Sequence, residues 1–134
     1  MVFLCLKEES MTANDMEMII YKILTYLYEC MKNGVSVSMD EMCSRCKLFK
    51  IPEKYWCQIM QELISAEYIK GFYELQTKDG VLIQCTDDAR ITIKGRDYLR
   101  ENNGMREAKA IAGDAFQIVL ESVIKAAINS GRLL

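Results

Sequence analysis

The stretch SMDEMCSRCKLFKIPEKYWCQIMQELIS, residues 38–65, decides the fold. It opens on Ser38, with Glu41 three residues on, the spacing at which a hydroxyl and a carboxylate satisfy each other's free amides in a capping box. A short helix from Ser38 to Cys46 is predicted, followed by a tight connection over Lys47–Ile51. Pro52 then marks a new helical start, because its missing amide has no partner in a first turn. The apolar stripe of that next helix is Trp56, Ile59, Met60, Leu63 and Ile64, which leaves Lys54, Cys57, Gln58, Gln61 and Ser65 on the other side. Two short helices across a brief turn make a helix-turn-helix.

Upstream, Met16, Ile20, Ile23, Leu24, Leu27 and Met31 recur at three- and four-residue steps from Thr12 onward, the period of an amphipathic first helix. Asn33-Gly34 supplies a left-handed stop, and Val35-Ser36-Val37 suits a minor strand. Downstream the period changes. Tyr68–Leu75 and Val81–Cys85, rich in aromatic and branched residues, read as strands joined by Gln76-Thr77-Lys78-Asp79-Gly80, and Asp-Gly there is a hairpin signal. Ile91–Ile93 leads into a helix from about Lys94 to the Asn103-Gly104 stop, and a last amphipathic helix runs from about Met105 to Asn129. The expected architecture is therefore mainly α with a small β-hairpin wing (α+β): a winged helix-turn-helix over residues 11–103 and a long C-terminal helix within 104–134. The final pair, Leu133-Leu134, is expected to fray.

Length and composition agree with one packed unit. The chain has 134 residues, 51% apolar and 27% charged, with one Pro and seven Gly, ordinary for a helix-rich globular protein. No apolar run approaches the ~18 to 20 residues that span a bilayer, and no signal-peptide pattern opens the chain, so a cytoplasmic protein without a membrane partner is expected. There is no histidine, which excludes Ser-His-Asp and Cys-His catalysis and His-ligated metal. With no recognisable nucleophile and base set, no catalytic residue is assigned and a non-enzymatic binding protein is expected. Residues 1–10 are set apart. Lys7-Glu8-Glu9-Ser10-Met11 is what a purine-rich ribosome-binding site and start codon look like when translated in frame, which makes Met11 a candidate start; a charged linker after an apolar strand Val2–Leu6 is the competing reading.

Four phrases resemble those of the YjcQ-like family, small winged-helix proteins of Gram-positive bacteria and their phages or integrated elements. They are Tyr21–Cys30, the Tyr55-Trp56 pair, Ala66-Glu67-Tyr68-Ile69-Lys70-Gly71, and Ile91-Thr92-Ile93-Lys94-Gly95-Arg96-Asp97-Tyr98-Leu99. The last is similar to that family's Ile-Thr-Pro-Lys-Gly-x-x-Tyr-Leu, with Ile93 in place of proline. The resemblance covers roughly residues 14–103 and implies a winged helix; it implies little about activity, since fold does not decide function.

Net charge is -2, and a protein that coats nucleic acid is usually more basic. Within residues 45–58, however, Arg45, Lys47, Lys50 and Lys54 face only Glu53. In a DNA-binding winged helix the exposed face of the third helix enters the major groove, where Gln58 and Gln61 can pair with adenine edges and Lys54 with phosphate or guanine. Lys78 at the wing tip can reach a flanking phosphate. The expected interface with double-stranded DNA is thus Arg45, Lys47, Lys50, Lys54, Gln58, Gln61 and Lys78, in a transcriptional regulator of a bacterial or phage element. The bland alternative is that these are soluble residues on an exposed helix. The rival function is a protein-binding module, such as a phage-encoded inhibitor of a host defence (CRISPR-type) or transcription complex.

Cys5, Cys30, Cys43, Cys46, Cys57 and Cys85 are read as reduced core thiols. Cys43-Ser44-Arg45-Cys46 has zinc-ligand spacing, but a second close pair is missing; neither metal nor other cofactor is expected. On the last helix, Ala112, Phe116, Val119, Leu120 and Val123 lie on one long stripe. It either folds back on its own domain or packs against its own copy, and a homodimer is the reading favoured.

Overall fold

In the computed structural model, which describes residues 11–133, five helices surround one antiparallel hairpin. The expectations placed on residues 1–10, including the leader and Cys5, lie outside the described residues. In chain order the elements are α1 (Met16–Asn33), α2 (Met39–Met42), α3 (Glu53–Ser65), β1 (Ile69–Thr77), β2 (Gly80–Ile91), α4 (Ile93–Glu101) and α5 (Asn103–Asn129). This is the α+β winged-helix layout read from the sequence, with a long C-terminal helix.

Helix α1 is the centre of the molecule. Ile19, Ile23, Leu24, Tyr26 and Leu27 are fully buried, more than one face of a surface helix, because other elements pack on it from several sides. It ends where expected: Gly34 takes φ +64, its amide donates to Met31, and that of Val35 to Cys30 at 2.9 Å, a left-handed cap that a side chain would strain. The capping box at Ser38 forms only in part. Ser38 Oγ accepts from the Asp40 amide, but the Ser38 amide donates to the buried Tyr26 hydroxyl at 3.1 Å, so α1 satisfies the group expected to bond Glu41.

The second helix is one turn, not the expected run to Cys46. Leu48, Phe49 and Ile51 are buried, and the chain reaches those sites by closing on itself: Cys46 N–H donates to Phe49, Ile51 N–H donates to Ser44 at 2.9 Å, and Arg45 bridges Lys50. Burying three large apolar side chains outweighs extending a short helix. Pro52 sits at the N-cap of α3, one position earlier than expected. Trp56, Ile59, Met60 and Leu63 face the core as predicted, and Trp56 Nε1 donates to the Met42 carbonyl at 2.8 Å, pinning α3 to α2. Cys57, placed on the outer side by its spacing, is buried beneath the hairpin, its thiol donating to the Val81 carbonyl at 3.8 Å.

The hairpin strands are longer than their apolar cores suggested and close at Thr77↔Gly80 across Lys78-Asp79. Phe72 and Ile83 bury its inner face. Register shifts between Lys70 and Phe72, where Gly71 takes φ +85 and a side chain would place its Cβ 2.4 Å from the Ala89 backbone; only glycine fits that bulge. The sheet has two strands among the described residues. Val35, expected in a minor strand, pairs instead with Leu133, and Ser36 N–H donates to Arg132 at 2.8 Å. Leu133, expected to fray, is therefore tied back to the loop after α1.

Helix α5 corrects the reading of its stripe. It breaks at Gly113, whose backbone (φ 58, ψ -154) is not helical. Beyond the break Phe116, Leu120 and Val123 are buried, and Val119 after it and Ala112 just before it are partly buried against the same core cluster as α1. The Phe116 ring lies 5.6 Å from that of Tyr21. Of these five residues, expected at a dimer seam, Phe116, Leu120 and Val123 line the chain's own interior against α1, while Ala112 and Val119 stay partly exposed at its edge. The core crosses the expected boundary at residue 104 without interruption.

Candidate nucleic-acid interface

Helix α3 presents Lys54 and Gln58 exposed and Gln61 partly exposed. Steps of four and three residues put all three on one face, opposite the buried Trp56 and Leu63. Two carboxylates of the same helix, Glu53 and Glu62, are also exposed, at its start and on its flank. The turn before α3 holds three of the other expected cations. Arg45 and Lys50 are paired across it and Lys47 stands exposed at its tip. This turn is held in place by Lys22 of α1, whose ammonium donates to the Leu48 carbonyl at 3.2 Å and lies 5.6 Å from the centre of the Phe116 ring. Burial pushes the Lys22 pKa down from its ordinary range.

The structure thus brings the expected residues together in two groups and leaves one apart. Lys54, Gln58 and Gln61 share the outer face of α3. Arg45, Lys47 and Lys50 line an open groove whose far wall is α5 at Ile118, with Asp40 and Glu41 at its edge. Lys78 stands exposed at the wing tip, separate from both. Among the described residues the ion pairs are Lys32–Glu29, Arg90–Asp88 and Arg96–Asp97. None of Arg45, Lys47, Lys50, Lys54 and Lys78 takes part in one.

The thiols sit elsewhere. Cys30, Cys46 and Cys57 are buried, Cys43 and Cys85 half-buried, and all five are free. Burial pushes the Cys30 pKa up to about 11 and raises that of Cys46. Cys46 accepts the Leu48 amide at 3.3 Å, so it serves the turn. No group of three or more His, Cys, Asp or Glu side chains is arranged to hold a metal ion among the described residues, and none of their helices is long and apolar enough to cross a membrane.

One cluster escaped the sequence reading. Lys70, Arg90, Lys94 and Arg96 come together around the base of the hairpin. Their signal was present as cations at both closing ends of the hairpin and at the start of α4, but strand pairing had to be known before they could be grouped.

No curated protein and no solved structure matches the chain. The YjcQ protein family matches it over residues 21–115, past the expected limit at residue 103 and through the break in α5. With more than half of its length matched, from α1 through α3 and the hairpin to the first part of α5, the chain belongs to the YjcQ protein family.

Proposed function

We propose that this chain is a non-enzymatic DNA-binding protein, a transcriptional regulator of a bacterial or phage element, in which the outer face of α3 reads the major groove. The observation that carries the reading is the grouping around α3: Lys54, Gln58 and Gln61 share its outer face, and the turn before it presents Arg45, Lys47 and Lys50, all exposed and none in an ion pair among the described residues. Unpaired cations beside two glutamine side chains suit a duplex: phosphates take the charges and adenine edges take the amides. Replacing Lys54, Gln58 and Gln61 together with alanine tests this, with specific binding lost and melting temperature unchanged.

A second reading has its own observation. Tyr73, Leu75 and Leu82 are each about 40% exposed on the outer face of the wing, and exposed apolar clusters mark protein interfaces. A wing that docks on a host or phage protein would use this face; Leu75→Lys then abolishes capture of that protein and leaves DNA affinity intact. For a homodimer, the inner stripe of α5 is largely taken by the chain's own core, and the outside of the same helix, where Ile118 is 66% exposed, is an apolar surface left open to a second copy.

A further inference from the structure

Three of the phrases that carry the family resemblance meet at a place the DNA reading does not use. Tyr28 and Met31 of α1, Glu67 and Lys70 around the start of β1, and Thr92–Lys94 with Arg96 at the start of α4 line one concavity of about 540 Å³, within the size range of small-ligand sites. Four of its lining side chains are cations, Lys70, Arg90, Lys94 and Arg96, against the single carboxylate of Glu67.

Positive charge is only partly balanced around this concavity. Strand register sets Lys70 directly opposite Arg90, and like charges directly opposed across an antiparallel pair repel. Asp88 engages Arg90 and Asp97 engages Arg96, while Lys70 and Lys94 have no ion-pair partner among the described residues. The Nε of Arg96 is buried without an acceptor, and a buried unpaired donor is destabilising. The first amides of α4, at Ile93 and Lys94, belong to the set that a helix leaves without internal acceptors. An anion of more than one charge would answer the unpaired Lys70 and Lys94 ammonium groups together, and guanidinium forks such as those of Arg90 and Arg96 match phosphate oxygens. Beside the charges lies apolar surface: Ile93 is 72% and Met31 43% exposed.

We propose that this concavity binds a small phosphorylated ligand with a flat apolar body, of the nucleoside diphosphate class, its phosphates held by Lys70, Arg90, Lys94 and Arg96 and its ring resting against Met31 and Ile93. The site is distinct from the face of α3 that carries Lys54, Gln58 and Gln61.

Titration calorimetry on the full chain tests this, with ADP and CDP as purine and pyrimidine probes and adenosine as the uncharged part. Lys70→Ala and Lys94→Ala are the variants and Lys54→Ala the control; all three side chains are exposed, and melting curves verify the fold. At least one diphosphate binds and adenosine does not. Each site variant weakens binding by about fivefold or more, as loss of a charge-assisted bond does, while Lys54→Ala leaves it unchanged. Absence of heat with both diphosphates at about 1 mM, in the range where the weakest specific ligands register, overturns the proposal, as does binding that neither lysine variant weakens. Duplex DNA whose affinity falls in Lys70→Ala and Lys94→Ala, with no diphosphate bound, also overturns it by assigning the surface to DNA. Failure of the α3 reading appears in a different variant and leaves the diphosphate result standing.

Discussion

The Thr92 hydroxyl donates to the Glu67 carbonyl at 2.7 Å and accepts the Gly95 amide at 3.0 Å. One side chain thereby joins the end of α3 to the start of α4 and closes the hairpin between them. Glu67 sits at φ +63, a left-handed conformation that few non-glycine residues adopt, and its carbonyl is fixed by this bond. Gly95 completes the junction: a Cβ there would lie 2.2 Å from the Tyr68 carbonyl oxygen, so helix and loop meet only because the side chain is missing. Two of the phrases that carry the resemblance are thus the two halves of one joint.

Thr92→Val removes the cap and strands the Glu67 carbonyl, and should cost about 1 to 3 kcal/mol. Gly95→Ala should cost more, since backbone must move. Urea denaturation of the two variants checks both the values and their order.

Phe116→Ala and Leu120→Ala should each lose about 2 to 5 kcal/mol, as core truncations do, at every protein concentration. Ile118→Asp, on the exposed side of the same helix, should change stability by no more than about 0.5 kcal/mol. Truncation after Asn103 should expose Tyr21 and its neighbours on α1 and give a protein that does not fold cooperatively. Melting curves across a concentration series distinguish this from dissociation of a dimer seam, which would depend on concentration.

Stability should fall at alkaline pH through Cys30. Its thiol is raised from 9.0 to about 11 by burial, so the neutral form is the one the fold favours. The contribution is complete below pH 9 and is lost as pH rises through 11, on the order of 2 to 3 kcal/mol in all. Denaturation midpoints between pH 8 and 11 should drop less steeply in Cys30→Ala than in the parent chain.

Much of this architecture was legible because local signals and tertiary demands agreed. Gly34 ended α1 as its sequence required, Asp79-Gly80 turned the hairpin, and Trp56 and Leu63 gave α3 its buried side. The misreadings fall where they disagreed. Ser38 and Glu41 announced a capping box, but Tyr26, distant in sequence, reached the Ser38 amide first. Residues 43–51 looked like a helix end and a turn; Leu48, Phe49 and Ile51 needed burial more than the helix needed length. The stripe on α5 was identified correctly as apolar, yet a stripe does not state what covers it, and α1 supplies that cover within the same chain. Of the candidate site, the face of α3 could be read from helical spacing alone. The grouping of Lys70 with Arg90 could not, because it depends on a strand register shifted by the bulge at Gly71.

Salt should report the phosphate contacts one by one. If Lys78 touches a phosphate, Lys78→Ala weakens binding to all sequences alike and lowers the slope of log affinity against log salt by about one. Gln58→Ala should leave the slope unchanged and relax preference at one or two base pairs by about 1 to 3 kcal/mol. Fluorescence anisotropy across a salt series separates the two behaviours.

The most direct test of the central claim is selection of genomic DNA fragments by the full chain at low salt, repeated with Lys54, Gln58 and Gln61 all replaced by alanine. If α3 reads DNA, the parent chain enriches a defined sequence and the triple variant, melting at the same temperature, enriches none. Enrichment of nothing above background by the parent, or of the same sequence by the triple variant, would contradict it.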